Sequence, residues 1–143
     1  MGAQAHKETI ARAIELWNAH DDGYFDVYAE DAGIHGFPGD APPTVEGMKG
    51  LFHGMWASFP DMRVEPVRLI VEGDLGAGTF RIGGTHEREF LGAAPSGNRI
   101  EIEAMSFFRF GPDGKIVERW TRLDEVGLLG QLGLMPVPEA APA

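Results

Sequence analysis

The hydrophobic pattern of the chain changes its period once, near Pro60, and this change constrains the fold more than any other feature of the sequence. Before it, apolar residues recur at helical spacing in residues 8–19 and again in residues 44–58. After it, four segments alternate between apolar and polar side chains as strands do: 62–71, 75–86, 99–110 and 115–123. Helices and strands that occupy separate parts of a chain predict an α+β fold.

Three helices are predicted in the first part of the chain. The first covers residues 8–19, and the second is a short helix that starts near Tyr24 and ends near Asp31. Thr44 is a favoured residue type for the N-cap of the third helix, which runs to about Ser58. Residues 33–37 predict a short strand, and the prolines of residues 38–44 predict a loop.

The turns between the later strands predict an antiparallel meander. Gly73 lies in the turn after the first long strand, and Pro112-Asp113-Gly114 has strong turn chemistry before the last one. The second long strand is rich in glycine, which often marks a bulge or a bend. The sequence therefore predicts a curved antiparallel sheet with about three N-terminal helices on one face, enclosing a pocket that is open at one end.

Length and composition limit the classes of function. The 143 residues suit a single domain, which we place at residues 1–135, and residues 136–143 predict a disordered tail. The formal net charge of -10 opposes binding to nucleic acid and to anionic membranes. The chain has no apolar run long enough to span a bilayer and no secretory signal at its N-terminus. We therefore expect a cytoplasmic location.

No metal or organic cofactor is predicted. The chain has no cysteine, so disulfides and thiolate metal sites are excluded. Its five histidines are scattered and lack the spacing of zinc ligands. Neither a phosphate-binding loop nor the signature of a serine or cysteine nucleophile occurs.

The last predicted strand ends in a carboxylate, Asp124, at the point where a short apolar helix begins. Aspartate is a favoured N-cap, so Asp124 has a structural interpretation. Strand alternation without a bulge places it on one face with Trp120 and Arg122, so an ion pair with Arg122 is a second interpretation. The third is that Asp124 faces an apolar cavity and removes a proton from a substrate, since desolvation raises the pKa of a carboxyl.

An ordered set of short motifs resembles a known family. The motifs are Phe59-Pro60-Asp61-Met62-Arg63, Glu72-Gly73-Asp74, Gly84-Thr85-His86, Phe90-Leu91-Gly92-Ala93-Ala94-Pro95-Ser96-Gly97, Asp113-Gly114-Lys115-Ile116-Val117-Glu118-Arg119-Trp120, Asp124 and Gln131-Leu132-Gly133. In this order and at these spacings, over about residues 8–136, the chain resembles a SnoaL-like polyketide cyclase, or ester cyclase, of the NTF2-like superfamily.

The resemblance implies an NTF2-like cone with a deep apolar pocket, and it also implies which reaction takes place in that pocket. Members close a ring of an anthracycline precursor by an intramolecular aldol reaction without a metal or cofactor, and an aspartate that matches Asp124 acts as the general base. Members also place a histidine beside the developing enolate. No histidine lies on the strand of residues 99–110, so His35 and His86 are the candidates for this role.

The substrate implied by the resemblance is a small apolar molecule with carbonyl groups. Trp120, Phe37 and Met105 are the candidates to bind it, and the open sheet face predicts a homodimer. Two alternatives stay open for the same pocket: another proton-transfer reaction, as in an isomerase or hydrolase, and a binding module in which Asp124 only caps a helix. A structural interaction protein that uses the outer sheet face is a further possibility.

Overall fold

The computed structural model describes residues 2–136 and contains three α-helices, one 3₁₀-helix and five strands. The helices are α1 (Ala3–Asn18), α2 (Val45–Ser58) and α3 (Glu125–Gln131), and the 3₁₀-helix is Asp22–Val27. The strands are β1 (Tyr28–His35), β2 (Arg63–Glu72), β3 (Leu75–Thr85), β4 (Arg99–Phe110) and β5 (Ile116–Leu123). The predicted α+β class is confirmed; of the predicted tail, residues 137–143 lie outside the described part.

The five strands form one curved, open sheet in the order β1-β5-β4-β3-β2. Strands β2 to β5 are joined as the predicted antiparallel meander. Strand β1 differs from expectation, because it begins at Tyr28 and pairs with β5 in parallel. A parallel partner distant in sequence leaves no local turn signal, so the pairing could not be read from the pattern of residues 28–35.

Helix α2 forms where its cap predicts. The Thr44 hydroxyl accepts a hydrogen bond from the backbone N–H of Gly47 at 3.1 Å, which satisfies one of the free donors of the first turn. The helix then presents a buried row of Met48, Phe52 and Trp56. Together with α1, this row covers one face of the sheet, which we call the inner face; the opposite face is the outer face.

Strand β4 alternates without interruption between the two faces. Its buried side chains are Ile100, Ile102, Ala104, Ser106, Phe108 and Phe110, and the residues between them are exposed. This alternation is the two-residue period of a sheet with one covered face.

A register shift at the start of β5 decides which of its side chains face the helices. Phe110 pairs with Ile116, but the neighbouring Arg109 pairs with Glu118, so that Val117 is an extra residue in β5. Ile116 is buried, and strict alternation would turn Glu118 inward and Arg119 outward. The extra residue reverses this, and the cavity receives Arg119 instead.

Candidate functional site

An apolar cavity lies between the inner face of the sheet and the helices α1 and α2. Its volume is about 80 Å³, room for a few water molecules, each of which needs about 10–15 Å³ on this measure. Phe37 and Pro38, at the edge of the proline-rich loop, form part of its wall.

Among the described residues, four side chains give the cavity wall its polar character, and Arg119 contacts the other three. The polar lining residues are Tyr24, Tyr28, Arg119 and Thr121, and the other lining residues are apolar. Nη1 of Arg119 donates to the Tyr24 hydroxyl at 2.6 Å and to the Tyr28 hydroxyl at 2.7 Å. The two hydroxyl oxygens are 2.6 Å apart. We call Arg119, Tyr24 and Tyr28 the arginine–tyrosine cluster.

The sheet supports the guanidinium of Arg119 from behind. Its Nε donates to the Thr121 hydroxyl at 2.9 Å, and its Nη2 lies 3.4 Å from the Ser106 hydroxyl. Ser106 and Thr121 are cross-strand partners, both buried, and their hydroxyls are 3.0 Å apart. The position of the guanidinium is therefore set by two neighbouring strands.

Two aromatic rings complete the enclosure of the guanidinium. The centre of the Arg119 guanidinium lies 5.0 Å from the ring centroid of Phe37 and 5.2 Å from that of Phe108. Contacts of this length are favourable cation–π interactions, and they are stronger where water is excluded. Phe37 thus connects the proline-rich loop to the cluster, and the prediction that Phe37 belongs to the pocket agrees with its place in the wall.

The charges of the cluster are fixed by its surroundings. Burial lowers the pKa of the Arg119 guanidinium, but the contacts with Tyr24 and Tyr28 raise it, and the net direction is upward. Burial also raises the pKa of the Tyr28 hydroxyl well above its usual value, although Arg119 opposes the rise. Arg119 is therefore cationic, and Tyr28 is neutral. Within residues 2–136, no carboxylate forms an ion pair with Arg119.

Asp124 lies at the N-terminus of α3, where its carboxylate is exposed. Its Oδ1 accepts a hydrogen bond from the backbone N–H of Gly127 at 2.9 Å. A Cβ at residue 127 would collide with Oδ2 of Asp124, so glycine there gives the carboxylate room. The geometry is that of a helix cap, and no ion pair with Arg122 forms. Its neighbours Leu123 and Leu128 line the cavity, but Asp124 does not.

Three of the predicted site residues lie on the outer face of the sheet. Trp120 is 38% exposed and Met105 is 59% exposed, and neither lines the cavity. His35 stacks near Trp120, and its Nε2 lies 2.9 Å from a carboxylate oxygen of Glu118. The expectation that the Trp120 face of β5 is the cavity face is therefore corrected, and the extra residue Val117 is the reason.

His86 is buried away from the cavity. It is 0% exposed, stacks on Phe59, and places Nδ1 3.1 Å from the Ser96 hydroxyl. Phe59, on which His86 stacks, contributes to the cavity wall, and His86 does not. The structure thus brings neither His86 nor His35 to the arginine–tyrosine cluster.

The arginine–tyrosine cluster was missed in the sequence. The signal was present: Arg119, Thr121 and Leu123 share one strand face, and an arginine on a face of this kind is unusual. Strict alternation from Ile116 hides it, because the extra residue in β5 shifts the phase. Tyr24 and Tyr28 are far from β5 in the sequence. Their positions alone therefore do not show that both contact the same arginine.

The described residues contain no group of histidines, aspartates or glutamates arranged to hold a metal ion. No helix among residues 2–136 has the length and apolar character needed to cross a bilayer.

Comparison with known proteins gives the family. A profile of the SnoaL-like polyketide cyclases matches residues 7–132, whereas no curated protein sequence matches the chain. The solved structure of IdmH from Streptomyces antibioticus, described as a polyketide cyclase, is 36% identical with a TM-score of 0.76, covering 90% of this chain and 98% of IdmH.

Two further solved structures are similar to this chain. AclR from Streptomyces galilaeus, described as a hydroxylase, is 29% identical with a TM-score of 0.83, and the match covers 94% of this chain and 88% of AclR. TsrD from Streptomyces laurentii shares the fold at 24% identity and a TM-score of 0.81, covering 94% of this chain and 99% of TsrD.

Proposed function

Because this chain belongs to the family of SnoaL-like polyketide cyclases, we propose that it is a cofactor-independent enzyme that closes a ring by an intramolecular aldol reaction. The family and the NTF2-like fold implied by the sequence motifs are both confirmed. The substrate of the proposed reaction is an apolar molecule that carries carbonyl groups. The observation that carries the proposal is a single cationic cluster in an otherwise apolar cavity.

Arg119 and the two tyrosines receive the carbonyl oxygen of the substrate in this proposal. When the neighbouring C–H loses its proton, negative charge develops on that oxygen. Fixed donors in a cavity of low polarity stabilise such charge far more than water does, because they need no reorganisation during the reaction. The cluster thereby lowers the pKa of the C–H group and reduces the strength required of the base.

Asp124 is the proposed base. The described lining residues include no carboxylate and no histidine, so a protein base has to act from the rim of the cavity. Asp124 stands in the sequence between Leu123 and Leu128, both of which line the cavity, and only its Oδ1 is used by the cap. Such groups often take their working geometry only when substrate is bound.

The proposed reaction balances without an oxidant or a reductant. A carboxylate oxygen of Asp124 takes the proton from carbon, and the resulting enolate carbon attacks a second carbonyl carbon of the same molecule. One C–C bond forms, and the new alkoxide takes a proton back. The product of the addition is an isomer of the substrate, with the same mass.

A synthetic anthraquinone that carries neighbouring aldehyde and β-keto ester groups tests the proposal. Ring closure is followed by chromatography and mass spectrometry, as conversion to an isomer. Arg119→Met should lower kcat/KM at least about 100-fold, as expected for loss of an oxyanion donor. Arg81→Met is the matched control: it removes the same charge from an exposed arginine of the outer face and should leave the rate unchanged.

Asp124→Asn separates the two roles of Asp124, because asparagine caps helices as well as aspartate does but is not a base. Loss of a general base should lower the rate at least about 100-fold while the unfolding temperature stays the same. Full activity of the folded variant would contradict the role of Asp124 as base and leave it as a cap.

The exposure of Asp124 and its bond to Gly127 favour one alternative, a binding module that holds a small apolar molecule without changing it. Another proton-transfer reaction, as in an isomerase or hydrolase, uses the same groups. If the protein binds the anthraquinone tightly but forms no isomer from it, the binding module would be favoured.

A further inference from the structure

The charge of Arg119 is not balanced by any group of the described residues. Its four hydrogen-bond acceptors are the hydroxyls of Tyr24, Tyr28, Ser106 and Thr121, all of which are buried. Charges that lose hydration in a protein are normally paired, since that loss is expensive. Arg119 is partly buried, and its guanidinium is instead held by neutral groups, against two aromatic rings and beside an apolar cavity.

The cluster also has hydrogen-bond donors that are not used among the described residues. The hydroxyls of Tyr24 and Tyr28 carry two protons, and only one can lie between their oxygens. Both oxygens already accept from Nη1 of Arg119, and among the described residues the second hydroxyl proton has no acceptor. Nη2 of Arg119 likewise has two protons and makes one long contact, to Ser106.

The two tyrosines do not neutralise the arginine. Burial raises the pKa of the Tyr28 hydroxyl well above its usual value, and this keeps its proton in place at neutral pH. Its position, between the Tyr24 hydroxyl and the guanidinium, makes it a donor or an acceptor but not an anion. The cluster therefore presents one net positive charge and unused N–H and O–H donors to the cavity.

We infer that the ligand of this cavity is an acid: a flat, apolar molecule with one resonance-stabilised oxyanion, a carboxylate or an ionised enol, that binds the arginine–tyrosine cluster. The inference rests on the proposed function and narrows its substrate class: besides the carbonyl groups that react, the substrate carries one acidic group, whose oxyanion binds the cluster before the reaction starts. An ester or ketone without such a group would fill the same space and leave the positive charge unpaired.

The cavity selects against more highly charged ligands. One guanidinium balances one negative charge, and the remaining wall is apolar apart from Thr121. A phosphate or sulfate dianion would bring a second charge into surroundings that offer it no partner. The formal net charge of the chain, -10, also repels such ions.

Pairs of acids and their neutral methylated forms test the inference by calorimetric titration. The carboxylate arm uses benzoate, 2-naphthoate and anthracene-2-carboxylate with their methyl esters. The enol arm uses 4-hydroxycoumarin with 4-methoxycoumarin. We expect at least one acid to bind roughly tenfold or more tightly than its methylated form, as a charge-assisted hydrogen bond provides. The arm with the larger ratio identifies the acid.

Three variants assign the preference to the cluster. Arg119→Met should abolish the preference for the acid, and Tyr28→Phe should reduce it, since one donor is lost. Arg81→Met, which removes an exposed arginine of the outer face, should leave it intact. The inference is overturned if no acid in either arm binds more tightly than its methylated form, or if the preference persists in Arg119→Met.

The outcomes separate this inference from the proposed function. Ring closure by the wild type without any preference for acids would overturn the inference and keep the cyclase. A preference for acids that depends on Arg119, with no ring closure, would support the inference and favour the binding module over the cyclase.

Discussion

At the scale of the residue, Arg119 combines two requirements that oppose each other. A cation among neutral hydroxyls is well placed to receive an oxyanion and poorly placed to stabilise the empty fold. Replacement of a buried ion pair by apolar residues is often neutral or stabilising, and the partly buried Arg119 has no ionic partner to lose among the described residues. Stability and activity should therefore respond to changes at this residue in opposite directions.

We predict that Arg119→Met raises the free energy of unfolding by roughly 1 kcal/mol while it lowers kcat/KM. The hydroxyls left behind are not orphaned, since Tyr24 pairs with Tyr28 and Ser106 pairs with Thr121. Urea denaturation of the variant and the wild type gives the measurement. A loss of more than about 2 kcal/mol would indicate that the arginine serves the fold.

Asp61 carries a pH-dependent part of the stability. Backbone and side-chain hydrogen bonds from Thr85 lower the pKa of the Asp61 carboxyl, although burial opposes the shift slightly. A lowered folded-state pKa stabilises the fold above the ordinary pKa of about 4, and the stabilisation is lost as the pH falls through the folded-state value. Asp61→Asn should therefore lower the unfolding temperature at neutral pH, and the difference should vanish in acid.

Thermal unfolding of both proteins over a series of pH values from neutral to strongly acidic checks this prediction. Asp113→Asn is a control, since the Asp113 carboxylate accepts one hydrogen bond from the backbone N–H of Lys115 in an exposed turn. If the difference in unfolding temperature between Asp61→Asn and the wild type became larger in acid, the prediction would be contradicted.

At the scale of the element, one extra residue in β5 determines what the cavity contains. Val117 shifts the phase, so that Arg119, Thr121 and Leu123 face the helices. Deletion of Val117 would restore strict alternation from Ile116 and keep these three inward. Deletion of Trp120 would instead turn Thr121 and Leu123 outward and bring Arg122 into the core.

We therefore predict opposite outcomes for two deletions in the same strand. The protein without Val117 should fold, with a lower unfolding temperature, and the protein without Trp120 should lose cooperative unfolding. Circular dichroism during heating measures both. A cooperative transition in the protein that lacks Trp120, at the wild-type temperature, would refute the account of the β5 register.

Most elements could be predicted from the sequence, because their signals are local. The Thr44 cap of α2 and the alternation of β4 depend on near neighbours, and both were found. The pairing of β1 with β5 and the extra residue Val117 depend on partners far along the chain. The candidate site was missed because predicting it requires two things that local patterns do not give: which side chains of β5 face the helices, and where Tyr24 and Tyr28 lie relative to β5.

At the scale of the whole molecule, the outer face of the sheet carries an apolar row across all five strands. Consecutive cross-strand partners form it: Ile70, Ala77, Phe107, Trp120 and His35. Ile70 is 69% exposed and Phe107 is 57% exposed. Rows of this kind on a protein surface mark interaction sites.

We propose that this row is the contact of a homodimer, as the resemblance to the family predicts. Phe107→Glu should convert the protein to a monomer, measured by light scattering after gel filtration, and Lys115→Glu is a control on the turn before β5. Because each copy has a formal net charge of -10, added salt should strengthen the dimer. A wild-type monomer at all salt concentrations would contradict the proposal.

The parallel pairing of β1 with β5 sets the order in which a newly made chain can fold. The strand of Tyr28–His35 leaves the ribosome well before its partner Ile116–Leu123 is synthesised. Until then β1 lacks the strand with which it pairs, and the hydroxyls of Tyr24 and Tyr28 lack their hydrogen bonds from Arg119. Pairing of segments so distant in sequence is slow, and the chain exposes its apolar surface meanwhile. The cavity, whose wall contains Tyr24 and Tyr28 as well as Arg119, therefore cannot form until β5 has been made.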